Sequence, residues 1–173
     1  EVMLVLVTGS FNINKKEQFI RDILKYNPYV TTIVQNFNNK HTSMILGDKS
    51  TVLYGKGYIK DELCGLEFKI SPSSFYQINR FQTEVLYNTA LTLADFKGNE
   101  TIIDAYCGTG TIGMIASKNV KRVLGVELNS FAIKDAIKNA KYNKIDNIEF
   151  VCDDAGHYME NMANNHLHLD ALI

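Results

Sequence analysis

Residues 104–113 read Asp-Ala-Tyr-Cys-Gly-Thr-Gly-Thr-Ile-Gly, and they hold the densest chemical pattern in the chain. Gly108, Gly110 and Gly113 spell Gly-x-Gly-x-x-Gly, the turn that brings a nucleotide-like ligand against backbone amides where a strand passes into a helix. Gly108 and Gly110 permit a tight turn and close approach of ligand to backbone, while Gly113 lets the helix pack closely on the strand. The glycines by themselves do not choose between a pyrophosphate and another adenosine cofactor.

Carboxylates around the loop narrow the choice. Glu127 lies 19 residues after Gly108, at the end of the next apolar run, where it can accept both hydroxyl protons of an adenosine ribose. Asp104 stands four residues ahead of Gly108. There it would repel a pyrophosphate by about 3 kcal/mol at an effective dielectric near 20, and attract a cationic ligand by a similar amount. Asp104 capping the loop's own amides is the competing reading, and it suits either ligand. Asp153 and Asp154 follow the third apolar run, and Asp154, heading Asp-Ala-Gly, is the candidate for an adenine amino group.

These residues need a sheet edge to gather on. From residue 99 the chain alternates between strand and helix patterns: "TIIDAY", a helix from about 111, "RVLGVE", a helix over 130–142, "IEFVC", and the incipient strand "LDALI". That is the pattern of βα units with a parallel sheet, whose ligands lie beyond the carboxyl ends of the strands. Ahead of it, residues 1–74 read as a small α+β unit. It opens with a strand ending near Thr8 and a helix announced by Asn14 and Glu17 in capping-box spacing. The strand "YVTTIVQNF" comes next, then extended pieces at 42–46, 50–54 and 66–70. Residues 75–98 link the two parts through a helix opened by Asn79 and Gln82, with Val85, Leu86, Ala90 and Leu91 among its apolar positions.

The 173 residues are 46% hydrophobic with a formal net charge of -1, which predicts a globular core and no general affinity for a phosphate backbone. Charge is spread evenly, with 10 basic and 8 acidic residues in 1–86 and 8 basic and 11 acidic in 87–173. No apolar run reaches 18 residues, so no membrane partner is expected. Cys64, Cys107 and Cys152 are too far apart for a zinc knuckle or a redox pair, which predicts a reducing, cytoplasmic setting. His166 and His168 lack a third ligand for a metal, and Lys134, Lys138, Lys141 and Lys144 read as a solvated helix face.

"SPSSFYQIN", "DAYCGTGTIG", "VLGVELNSFAIKDAIKNAKYNKIDNIEF" and "CDDA", in that order, closely resemble the RNA uracil-5-methyltransferases that act on ribosomal and transfer RNA. The resemblance runs from about residue 40 to 157 and implies a Rossmann-like α/β methyltransferase domain, truncated, preceded by the small α+β subdomain. It implies S-adenosylmethionine as cofactor, with no metal or iron–sulfur cluster here. Gln77 would lie on the cofactor, Tyr106 and Thr111 would flank it beside Gly108 and Gly110, Glu127 would hold its ribose, and Asp154 would sit by the adenine. Phe75 would look toward a uridine flipped out of its RNA.

In such enzymes a cysteine adds to carbon-6 of uracil, carbon-5 takes the methyl group, and a carboxylate removes the hydrogen before the cysteine leaves. The Asp-Pro-Pro-Arg loop, nucleophilic cysteine and base glutamate of the family are expected beyond Ile173. The sequence therefore reads as an interior fragment that keeps cofactor-binding elements, lacks turnover, and self-associates through exposed apolar surface. Ribosomal RNA, in particular 23S, is the expected substrate of the longer enzyme. A nicotinamide-dependent oxidoreductase and a non-catalytic binding module are the alternatives, the first disfavoured by Asp104. Cys107, within the cofactor loop, is poorly placed to serve as the nucleophile.

Overall fold

The computed structural model describes residues 1–41 and 43–173, which divide into two compact units. The first comprises Glu1–Asp61 with Lys69–Ser73, the second Glu62–Phe68 with Ser74–Ile173.

In the first unit, strand β1 (Val2–Thr8) leads through helix α1 (Lys16–Tyr26) to β2 (Val30–Phe37), which runs parallel to it. Strand β3 (Lys49–Tyr54) pairs antiparallel on the other side of β2. The central strand buries Thr32, Gln35 and Asn36 beside Ile33 and Val34, so its polar side chains must be satisfied internally. Thr32 donates to the Tyr54 carbonyl at 2.8 Å, the Gln35 amide donates to Thr8 Oγ1 at 2.8 Å, and Asn36 exchanges two hydrogen bonds with the backbone of Gly47.

Three expectations for this part of the chain are corrected. The capping box at Asn14 and Glu17 does not form: Lys15, at φ 54°, is the cap residue of α1, and no side chain caps the helix there. The extended piece expected over 42–46 is not a strand across 43–46, because Asn38 donates to the carbonyls of Met44 and Ile45 and curls the chain into bends; Thr42 lies outside the described residues. A strand not anticipated, β4 (Ile59–Leu63), pairs with β5 (Leu66–Ile70) in a two-stranded sheet. Its charges masked the alternation, and its turn places Cys64 at φ 49° and Gly65 at φ 73°, two positive φ values that a tight hairpin demands and that cysteine seldom supplies.

In the second unit the parallel sheet has the order β8-β7-β6-β9. Its strands are β6 (Thr101–Asp104), β7 (Arg122–Val126), β8 (Ile148–Val151) and β9 (Ala171–Leu172), joined by α3 (Thr111–Ala116), α4 (Ser130–Tyr142) and α5 (Ala155–Asn164). Helix α2 (Arg80–Ala94) precedes them, and Asn79 caps it by accepting from the Gln82 amide at 3.2 Å. Apolar runs in β6 and β7 become buried strands because helices cover both faces. One face is lined by Ile102, Val123, Met114 and Ala136, the other by Ile103, Leu124, Ala155 and Met162.

Val85 and Leu86, expected among the apolar positions of α2, are exposed; Thr83 and Tyr87 turn inward instead. With 3.6 residues per turn, burying 83 and 87 carries 85 to the opposite face and leaves 86 on the flank, roughly 80° from the centre of the buried stripe.

Candidate functional site

The carboxyl ends of β6, β7 and β8 bring the loop 105–110, Glu127 and Asp154 to one edge of the sheet. Glu127, half-buried, joins two of these ends directly. Its Oε2 accepts from the Gly108 amide at 3.1 Å and its Oε1 from the Asn129 amide at 2.8 Å. A carboxylate offers about four lone-pair directions, so acceptor capacity remains for ligand hydroxyls.

Asp104 does something different. It is 3% exposed, and its Oδ2 accepts from the Gly113 amide at 3.0 Å, inside the first turn of α3. This capping contact is the competing reading of Asp104; its carboxylate grips the loop's own helix. Burial pushes its pKa from 3.8 up to about 7; the Gly113 hydrogen bond opposes the rise and the negative charge of Glu127 adds to it.

A raised folded-state pKa means that the folded form binds more protons than the unfolded form between about pH 4 and 7. Stability therefore falls as pH rises through that window, and the cost is fully present above it. Asn in place of Asp104 keeps an acceptor for Gly113 without the charge. Asp104→Asn should raise stability by about 2–4 kcal/mol at pH 8 and by much less at pH 5, read from denaturant melts at the two pH values. Equal effects at both would show that Asp104 carries no such penalty.

The three glycines divide their work. Gly108 has φ +54° and open space where a Cβ would project, so its face is free for a ligand. Gly113 lies against the sheet, its would-be Cβ 2.8 Å from Asp104 Oδ2 and 3.3 Å from Val123, as helix–strand packing requires. Gly110 is also required from behind the turn. At φ +77° its missing Cβ makes room for the Phe150 ring, 2.7 Å away, and for Met114. Phe150 is also lodged against Gly125, which faces it across β7 and β8. A β8 aromatic is thus the floor of the turn, a role that only the strand register discloses.

The remaining candidates lie around this edge. Tyr106 is 78% exposed, and Thr111 Oγ1 is 3.3 Å from the Tyr87 hydroxyl, tying the start of α3 to α2. Asp154 caps α5, accepting from the His157 amide at 3.0 Å, so it heads a helix. Asp153 instead pairs with the His157 ring at 3.2 Å. Gln77 and Phe75 are exposed on the segment entering α2. Leu128, 71% exposed beside Glu127, is an apolar surface at the site that sequence reading passed over, although a lone leucine between Glu and Asn at a strand tip was its signal.

Cys107 is buried, its thiol pushed far up by desolvation and by the charges of Asp104 and Glu127, whereas Cys152 is exposed. Nucleophilicity belongs to the thiolate, so Cys107 is unreactive here. Iodoacetamide at pH 8 should label Cys152 and leave Cys107 unmodified until the protein unfolds, with peptide mass spectrometry as the readout. Among the described residues no group of three His, Cys, Asp or Glu is arranged to hold a metal ion, and no helix is long and apolar enough to cross a membrane.

Comparison with known proteins agrees with this geometry. A family profile described as a methyltransferase domain matches residues 96–172. The chain is 40% identical over 173 residues to an uncharacterised RNA methyltransferase of Clostridium tetani, covering all of this chain and 38% of that protein. It is 46% identical over 155 residues to another from Halalkalibacterium halodurans, covering 90% of this chain and 34% of that one. It thus spans little more than a third of the length of these curated relatives.

Among solved structures, the Pyrococcus abyssi tRNA (uracil-54, C5)-methyltransferase in complex with S-adenosyl-L-homocysteine matches with a TM-score of 0.69 and 27% identity, over 87% of this chain and 35% of that one. The M. jannaschii tRNA m1G37 methyltransferase, at TM-score 0.55 and 15% identity over 88% of this chain and 44% of that one, shares the fold. The glycine turn, the acid at the next strand tip and the parallel sheet that carries them form a Rossmann-like fold of the S-adenosylmethionine-dependent methyltransferase type, and along its length the chain is similar in sequence to proteins named as RNA methyltransferases.

Proposed function

We propose that the longer enzyme methylates carbon-5 of a uridine in RNA, and that this chain supplies its cofactor pocket. The observation that carries the reading is the loop with the open Gly108 face, held by Glu127, in a chain 27% identical to a uracil-C5 enzyme solved with S-adenosyl-L-homocysteine. When bound, S-adenosylmethionine supplies an electrophilic methyl group on a sulfonium.

The residues present fit that group. The free face of Gly108 admits it, and Glu127 has spare acceptor capacity for its ribose. Asp154, with one oxygen engaged in capping, would take the adenine end. Tyr106 and Thr111 would flank the cofactor, Gln77 would reach it, and Phe75, whose ring is exposed, would meet the target base. Asp104 acts from behind, shaping α3 through Gly113.

The three cysteines have no assigned part in adding to the base, so the nucleophile and the proton-removing carboxylate are assigned to other parts of the enzyme. By itself the chain binds cofactor without turnover. It also self-associates at high concentration through Phe81, Leu86 and Leu93 on α2, an expectation that light scattering checks.

Ribosomal RNA is the first substrate reading. Transfer RNA is the second, favoured by the transfer-RNA enzyme among the structural matches. Methyl transfer from labelled cofactor to both RNAs by the full-length enzyme, followed by nucleoside analysis, tests the reading. Label appearing as 5-methyluridine is expected; label on another base, or none, would overturn it. Calorimetry of the chain with S-adenosylhomocysteine and with NAD tests the pocket, and selective NAD binding would defeat it.

A further inference from the structure

The surface of α4 carries a polar stripe that cofactor binding does not explain. Asp135, Asn139 and Asn143 recur at i, i+4 and i+8, which stacks them along one side of the helix. A stripe of this kind on a surface helix normally faces water, yet Asn139 is fully buried and the Asp135 side chain is only 15% exposed. Each end of the stripe grips backbone-proximal groups of another segment. Asn143 accepts from the Glu67 amide at 3.1 Å and donates to the Glu67 carbonyl at 2.8 Å, as a neighbouring strand would. Eight residues earlier, Asp135 Oδ2 accepts from the Ser74 hydroxyl at 2.9 Å, with Lys138 3.5 Å from its other oxygen.

The residues just after Ser74 give the contact its meaning. Tyr76 turns inward and packs against the Phe68 ring at 6.3 Å between centroids, while Phe75 and Ile78 are 77% and 100% exposed and Gln77 is exposed with them. The segment thus alternates, Ser74 and Tyr76 inward, Phe75 and Gln77 outward, before Asn79 starts α2. The segment belongs to no strand among the described residues, and Asp135 is one of the groups that hold it.

We propose that Asp135 is a positioning residue: through its hydrogen bond to Ser74 it sets where Phe75 and Gln77 stand relative to the cofactor loop. The inference rests on the reading that these two side chains face base and cofactor. A carboxylate accepting from a hydroxyl in a nearly dry site makes a short, directional bond, and displacing a positioning segment by about 1 Å can cost on the order of 100-fold in rate.

The test uses the full-length enzyme with Asp135→Ala, Asp135→Asn, Ser74→Ala and the Asp135→Ala/Ser74→Ala double variant. Asp135→Ala and Ser74→Ala should each lower kcat/KM for methyl transfer by about 10-fold or more, with thermal unfolding still cooperative. The double variant should be no worse than either single one, and Asp135→Asn, which retains an acceptor, should recover to within about threefold. Amide hydrogen exchange at residues 75–78 should quicken in both alanine variants and not in Asp135→Asn.

That exchange readout needs neither RNA nor cofactor. If the wild-type enzyme neither binds S-adenosylhomocysteine nor methylates RNA, the functional reading falls while the exchange data still decide the pin. Unchanged exchange and unchanged kcat/KM in Asp135→Ala, or a silent Ser74→Ala beside an impaired Asp135→Ala, would overturn the proposal.

Discussion

Glu127→Ala should weaken S-adenosylhomocysteine binding by about 10- to 100-fold, or 1.4–2.8 kcal/mol. Two losses combine. The ligand forfeits a charge-assisted acceptor, and the amides of Gly108 and Asn129, which now donate to the two oxygens of Glu127, lose the group that holds the turn to the tip of β7. Glu127→Gln should fall between wild type and alanine, since its carbonyl can serve one amide while its own NH2 faces the other. Calorimetric titration of the chain measures the affinities, and a melt of each variant separates lost binding from lost folding. Alanine at 127 with wild-type affinity would remove this residue from the pocket.

Gly110→Ala should destabilise the chain by about 2–4 kcal/mol, from about 1 kcal/mol or more for a side chain at φ +77° plus the cost of overpacking. The new Cβ would lie 2.7 Å from the Phe150 ring and 2.8 Å from Met114 Cε. Methionine can swing aside, but Phe150 is already crowded, because the adjoining atoms of the same side of its ring lie against Gly125, whose own Cβ position is 2.6 Å from Cδ1. Shrinking the ring should therefore relieve part of the strain. Phe150→Leu in the Gly110→Ala background should recover more stability than additivity allows, measured by denaturant melts of the four-member cycle. Strict additivity would show that the two positions do not press on one another.

Much of the α/β unit was legible before any coordinates. Helix 130–142 and the runs that became β6, β7 and β8 are recognisable because their apolar periodicity is local and agrees with burial on both sides of a parallel sheet. Asn79 was readable as a cap for the same reason: its partner is three residues away. Features that failed depend on distant partners or on backbone angles. The capping box at Asn14 gave way to a left-handed Lys15, and β4 was hidden by its charges and closed by a cysteine in a glycine-like conformation.

Sequence alone determined that glycines at 108, 110 and 113 turn between a strand and a helix, that Glu127 stands at the next strand tip, and that the chain resembles one methyltransferase family. These come from spacing and periodicity, which are properties of neighbours along the chain. Tertiary structure decided that Asp104 faces inward to Gly113, that Gly110 yields to Phe150, and that α4 reaches back through Asp135 to Ser74. Each of those is settled by which groups burial forces together across 9 to 61 positions of chain, where hydrogen-bond satisfaction and close packing choose the partner and local pattern is silent.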